Sequence, residues 1–352
     1  MRTTFVPKVL GAVTLLGVVT LLASCRKPTP PPTAPPRPAQ EGQASQTPGA
    51  KLTIAVIPKG TTHEFWKSIH AGALKAAEEL KVEVVWKGPL KEDNRDEQIK
   101  IVEDMTSRKV SGIVLAPLDD TALRLPVKNA VAAGIPVVII DSGLQSEDYA
   151  SFVATDNRHG GQLAGEHLAK LLGGKGQVVM LRYQEGSAST NDREAGFLEA
   201  IAKSPGIKVV SSNQYGGATT ESAYKASENL LAPYEKGGKL TVDGIFCPNE
   251  STTFGMLRHL QDAGLAGKVK FVGFDSSPKL VDALAAKQLH GLVLQDPMNM
   301  GYLGVKTMVA VINKQPVEKR IATGETLATP ENMNQAQIQA LLKPDFAKWL
   351  KE

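Results

Sequence analysis

The sequence predicts an α/β protein built on doubly wound parallel sheets, and three observations carry that prediction. Short apolar runs rich in β-branched residues recur along the chain, and stretches with helical spacing lie between them. The runs are apolar nearly throughout rather than at alternate positions, as expected of strands covered by helices on both faces. The repeating part extends from about Lys51 to Glu352, long enough for two lobes of ordinary size.

Before that part the chain reads differently. Arg2 and Lys8 precede an apolar run from Val9 to Leu22, and "LASC" follows at Leu22 to Cys25. A basic start, a short apolar core and small residues before a cut site make residues 1–24 a secretory signal. The competing reading, a membrane-spanning anchor, needs about 20 apolar residues. "LASC" also resembles a bacterial lipobox, which implies lipidation of Cys25 and a protein anchored to a membrane by lipid alone. "PTPPPTAPPRPAQEGQASQTP", from Pro28 to Pro48, favours extended polyproline II and has nothing to pack, so residues 25–50 form a tether.

Strands are expected at Leu52–Ile57, Val82–Trp86, Gly112–Ala116, Pro136–Ile140, Gln177–Leu181, Lys208–Ser211, Gly244–Phe246 and Lys270–Gly273. The first helix is expected over Phe65–Leu80, with Phe65, Ile69, Ala73, Ala76 and Leu80 on one face. Thr61 with Glu64 three residues on fits a capping box, which would fix where Phe65 and Trp66 project. Crossovers between parallel strands should be right-handed.

A doubly wound sheet binds ligands beyond the carboxyl ends of its strands. The segments found there, among them "PKGTTHEFW", "KEDN", "APLDD", "DSGLQ", "RYQEGSASTNDR", "PNEST", "FDSSP" and "QDPMN", are polar and rich in turns. Asp119 and Asp120 read as turn caps, and Trp86 as either core or site edge. The net charge of +4 is spread along the chain, which argues against a nucleic-acid surface. With Cys25 acylated, Cys247 has no disulfide partner; it follows "VDGIF" and reads as a buried inert thiol. No nucleophile elbow, Walker loop or GxGxxG occurs, and the six histidines show no metal-like cluster. Neither catalysis, metal nor cofactor is therefore expected. Asp141 and Asp275 as a glycosidase pair would also need a raised carboxyl pKa and space for a water.

"NDREAGF" at Arg193, "FCPNES" at Asn249, "VGFDSSP" at Asp275 and "GLVLQDP" at Gln295 resemble the ligand-contact segments of periplasmic sugar-binding proteins. More narrowly, the chain resembles the type I, ribose-binding-like family serving ABC transporters, over nearly all of Lys51 to Ala328. The resemblance implies two similar doubly wound lobes joined by three hinge crossings, with the sugar held between them. The N-lobe would comprise residues 51–154 plus 296–322, and the C-lobe 155–295 plus 323–328. Residues 329–352 extend beyond that core with the spacing of one or two amphipathic helices. The resemblance also implies that Phe65 and Trp66 stack on the sugar, and that Asp141, Arg193, Asn249, Asp275 and Gln295 make polar contacts. His63 stands where the family often has asparagine. Ser142 replaces an arginine of ribose binders, and near Ala218 their second-lobe aromatic is missing.

The residue types fit that chemistry without the family. A sugar hydroxyl both donates and accepts; carboxylates accept, arginine donates a planar fork, and amides do both. Aromatic rings bury the apolar C–H faces. The expectation is an exported, periplasmic or cell-surface lipoprotein, monomeric, that carries a small sugar or polyol to an ABC permease. Presentation to a chemotaxis or sensor-kinase receptor, and a nucleoside or furanose signal as ligand, are the alternatives. A regulator of the same sensor superfamily would need a helix-turn-helix domain before Lys51.

Overall fold

A computed structural model describes residues 51–350. The signal, Cys25 and the proline-rich segment lie outside the described residues. The elements run, in order, β1 (Thr53–Ile57), α1 (Glu64–Leu80), β2 (Glu83–Trp86), α2 (Arg95–Ser107), β3 (Gly112–Leu115), α3 (Arg124–Ala132), β4 (Val137–Ile140) and β5 (Ser151–Ala154). There follow α4 (Asn157–Leu171), β6 (Lys175–Arg182), α5 (Ala188–Ala202), β7 (Gly206–Tyr215), α6 (Thr220–Leu231), and the short pair β8 (Glu235–Lys236) and β9 (Lys239–Leu240). Then come β10 (Gly244–Phe246), α7 (Glu250–Asp262), β11 (Lys270–Phe274), α8 (Pro278–Ala285) and β12 (Gly291–Gln295). The last are α9 (Pro297–Ile312), β13 (Arg320–Ala322), β14 (Glu325–Ala328), α10 (Ala336–Leu342) and α11 (Ala347–Leu350).

The strands form two six-stranded sheets, ordered β13-β5-β4-β3-β1-β2 and β14-β12-β11-β10-β6-β7. Every pairing in the first is parallel; in the second only β14 runs antiparallel, against β12. This is the expected fold class. The reason lies in the strand residues, which alternate between two cores. Ile54 and Val56 join Val114 and Val138 on one face of the first sheet, while Ala55 and Ile57 join Ile113 and Val137 on the other. In the second sheet Val179 and Phe271 face one core, and Val178 and Val272 the opposite one. Both faces are covered, so the central strands read as near-continuous apolar runs.

The chain passes between the sheets after β5, after β12 and between β13 and β14. On its second passage α9 returns to pack on α1. Their backbones approach so closely that a Cβ on Gly72 would meet the Met298 carbonyl oxygen at 1.9 Å, and one on Gly301 the Ile69 oxygen at 2.1 Å. The C-terminal segment forms α10 and α11; Ile338 and Leu342 of α10 sink into a core of the second sheet.

Three local expectations are corrected. Ser151–Ala154 and Gly291–Gln295 form strands beyond the eight expected; the first is too short to show a period, yet it pairs on both sides. The capping box at Thr61 does not form. Helix α1 begins at Glu64 with His63 as N-cap, the Thr61 hydroxyl donates to the Pro89 carbonyl at 3.3 Å, and Glu64 pairs with Lys67 at 3.3 Å. The first amides of α1 go instead to a carboxylate from the other sheet. Trp86, read as core or site edge, does not line the cavity between the sheets but stacks on His70, ring centroids 4.4 Å apart.

Candidate ligand-binding cleft

The carboxyl ends of β1, β2, β4, β6, β10, β11 and β12 bring their following residues to one small cavity between the sheets. Of the residues singled out in sequence, His63, Phe65, Trp66, Asp141, Arg193, Asn249, Asp275 and Gln295 line it. Ser142 does not; it is fully buried behind, and its hydroxyl accepts the Ser189 N–H at 3.1 Å. Lys59, Glu92, Tyr183, Ser189, Thr190 and Glu250 line the cavity without having been expected there.

Phe65 and Trp66 occupy the first turn of α1, edge to face at 5.0 Å and 87°. Trp66 is both core and wall: 2% exposed, it packs among Ile54, Ile69 and Met300 and lines the cavity. Its indole N–H donates to Glu92 Oε1 at 2.7 Å. The same oxygen lies 2.5 Å from His63 Nδ1, and Glu92 Oε2 accepts from the Tyr183 hydroxyl at 2.5 Å. Burial pulls the His63 pKa down, but the charge and hydrogen bond of Glu92 outweigh it and hold it at about 9. Burial raises Glu92 in turn, and the His63 charge, Tyr183 and Lys59 overcome that to bring it to about 2. His63 and Glu92 are therefore an ion pair at neutral pH, and this pair fixes the indole. Burial and the neighbouring Glu92 push the Tyr183 phenol well above its ordinary value, so it stays a donor.

Asp141 and Asp275 end β4 and β11 in the same unusual conformation, with φ of 62° and 67°. Aspartate tolerates this left-handed region better than most residues. Asp141 meets Lys59 Nζ at 3.2 Å, and Lys59 also donates to Ser187 and Ser189 at 3.2 and 3.1 Å. Asp275 accepts from Gln295 Nε2 at 2.7 Å and from the Glu250 N–H at 3.0 Å, with Arg193 Nη1 3.9 Å away. Burial raises the Asp275 pKa against the pull of Arg193 and Gln295.

Arg193 is no surface residue. At 2% exposure it donates to Asn157 Oδ1 at 2.8 Å and the Pro248 carbonyl at 3.0 Å, its guanidinium 4.0 Å above the Phe274 ring. Asn249 caps α7, its Oδ1 accepting the Thr252 N–H at 3.2 Å. Gln295 Oε1 is buried with no partner, and because Asp275 can only accept, the amide must present Nε2 to it and leave this oxygen to the cavity.

Lys59 places a cation beside Asp141, and the Tyr183 ring lines the cavity from the second sheet. Outside the cavity, Asp119 Oδ1 accepts the Thr121 and Ala122 N–H groups, as a turn cap should. Cys247 is buried, and burial pushes its thiol pKa far up, which makes it inert. Among the described residues, no group of three or more His, Cys, Asp or Glu could hold a metal ion.

Comparison with known proteins gives one consistent picture. Residues 54–316 match the model of the periplasmic binding protein domain. The chain is 30% identical over 271 residues to a ribose import binding protein of Escherichia coli, covering 77% of this chain and 88% of that one. A D-allose-binding periplasmic protein of the same organism is 29% identical, over 74% of this chain and 84% of its own length. A carbohydrate transporter solute-binding protein of Agrobacterium radiobacter, solved with D-arabinose, superposes with a TM-score of 0.80 at 34% identity, covering 84% of this chain and all of that one. An ABC transporter solute-binding protein of Agrobacterium vitis, solved with D-fucose, gives 0.78 at 34% identity, covering 82% and 99%.

Proposed function

The chain belongs to the periplasmic binding protein family, and from that premise we propose that it captures an uncharged pentose or hexose between its two lobes and hands it to an ABC importer. Its relatives are binding proteins rather than enzymes, and the family is one of exported periplasmic proteins. The observation that carries the reading is the Gln295 amide. A buried acceptor without a partner costs about 1–3 kcal/mol, and a sugar hydroxyl donating to Oε1 would remove that cost.

The rest of the cavity supports the same ligand class. Phe65 and Trp66 offer apolar faces for C–H groups, and Asn249, Thr190 and Ser189 offer groups that both donate and accept. Lys59 and Arg193 are already committed to partners inside the protein, so neither is free to neutralise a phosphate or carboxylate. The strand-end residues of both lobes meet the ligand, so closure about the three crossings traps it, and the closed form is what the permease recognises. Lipidation at Cys25 would anchor the protein to a membrane.

Calorimetry of the mature protein with D-ribose, D-allose, D-arabinose, D-fucose, inositols and amino-sugars tests the reading. Binding of at least one neutral sugar is expected; failure of every carbohydrate overturns it. Radiolabelled palmitate should be incorporated by the wild type and not by Cys25→Ala, and an unlabelled wild type would rule out the lipid anchor.

A further inference from the structure

Besides the Tyr183 phenol, seven ionisable side chains line the cleft, and six of them pair: Lys59 with Asp141, His63 with Glu92, and Arg193 with Asp275. The seventh is Glu250. It opens α7 on the second sheet, and its side chain crosses the cleft to the start of α1, where its oxygens accept the N–H groups of Phe65 at 3.2 Å and Glu64 at 3.4 Å. Its own N–H is tied to Asp275 Oδ2 at 3.0 Å. We infer that Glu250 is a positioning residue that seats the aromatic wall of α1 against the second lobe, and that it takes up a proton when the lobes close on a sugar.

Every element packed against Glu250 leaves it in this position. From the first lobe come His63, whose charge is matched by Glu92, and Glu64, whose carboxylate pairs with Lys67. From the second come Asp275, a like charge, and Arg193, which is spent on Asp275, Asn157 and Pro248. Against Glu250 itself stand only two long amide contacts. Glu92 shows the contrast: buried at 5% exposure where Glu250 is half-buried, it receives three side-chain donors at 2.5–2.7 Å, one of them cationic. An uncompensated carboxylate in a closed site facing a neutral ligand takes a proton rather than hold its charge there. Burial accordingly raises Glu250 from 4.5 to about 7, with the His63 charge and the Phe65 N–H opposing and Asp275 adding to the rise.

The linkage has a definite sign. Opening the lobes hydrates Glu250 and lets its pKa return towards 4.5, so the closed form binds the extra proton. Closure is therefore helped fully at low pH and loses that help as pH rises through about 7. Neither His63, at about 9, nor Glu92, at about 2, changes its main charge state between these limits.

The inference rests on the sugar-binding reading, and two measurements keep the two apart. Calorimetry with D-arabinose and D-allose across this range, in buffers of differing ionisation heat, should show affinity falling about tenfold from about pH 6 to about pH 8, with proton uptake on binding. Glu250→Gln, which keeps the shape and an acceptor, should flatten that slope. In parallel, carboxyl ¹³C NMR of the sugar-saturated protein should show one glutamate titrating near neutrality that is missing from Glu250→Gln. A wild-type affinity that does not change with pH, a slope that survives in Glu250→Gln, or glutamates that all titrate in the ordinary range would overturn the proton linkage while leaving sugar binding intact. If no sugar binds, the functional reading fails and the proton linkage fails with it.

Discussion

Asp141 and Asp275 end equivalent strands of the two lobes in the same left-handed turn, each donating its N–H to the next strand, to Val153 at 3.1 Å and Val293 at 2.8 Å. Their surroundings then diverge. Asp141 has a lysine in direct contact, and that lysine reaches on to the hydroxyls of the opposite lobe. Asp275 has its cation at 3.9 Å and relies on an amide side chain and one backbone N–H. One backbone frame thus carries two duties. Asp141 holds an internal brace, whereas Asp275, with the unpartnered Gln295 oxygen beside it, faces the cavity.

Replacing each aspartate should separate those duties. Asp141→Ala strands the Lys59 ammonium in a dry site and should cost about 3–5 kcal/mol of unfolding free energy in urea titration, most of it recovered by adding Lys59→Met. A loss of stability no greater than that of Asp275→Ala would break the contrast. Next in size is the ion pair that holds Trp66. Glu92→Gln should cost about 1–3 kcal/mol and lower His63 from about 9, since burial is then opposed only by the charges of Glu250 and Asp275.

The same pair sets a pH window. Glu92, lowered, contributes stability above 4.5 that is lost as pH falls towards 2; His63, raised, contributes stability below 6.5 that is lost as pH rises through 9. Thermal unfolding of the wild type should therefore show a benefit between these limits that Glu92→Gln lacks. Asp275→Ala and Trp66→Ala should each weaken sugar binding at least about tenfold, or ~1.4 kcal/mol, with a smaller effect on the fold for Asp275→Ala; unchanged affinity in both would place the ligand elsewhere. Trp66→Phe should lose least, only a few-fold, because the ring remains and one hydrogen bond to Glu92 goes.

The same contrast explains what could be read from the sequence. Strand runs such as Ile54–Ile57 stand out because both faces are buried, and the strand ends follow from the doubly wound rule. Ser151–Ala154 offered too few residues to show a pattern. Asp141, Asp275, Arg193, Asn249 and Gln295 were visible through the segments they share with known binders. Lys59, Glu92 and Glu250 stood in segments already marked as strand ends, "PKGTT", "KEDN" and "PNEST". Charged residues in turns are commonplace, however, and only the fold shows which reach across a cleft. The mistaken capping box has the same origin: the sequence near Thr61 contains a local partner for the α1 amides, but the carboxylate that serves them lies at Glu250, 185 positions from Phe65.

The pairing of charges within the cleft bears on how cargo is gathered from a dilute medium. Opposite charges held a few ångströms apart cancel at a distance, so the mouth projects little field and exerts no long-range pull or push on solutes. Capture should then proceed at the same rate in brackish and in fresh surroundings, since there is nothing for dissolved salt to screen. An anionic solute would find both cleft cations, Lys59 and Arg193, already paired, so such a cleft would discriminate against negative charge before it discriminates by shape.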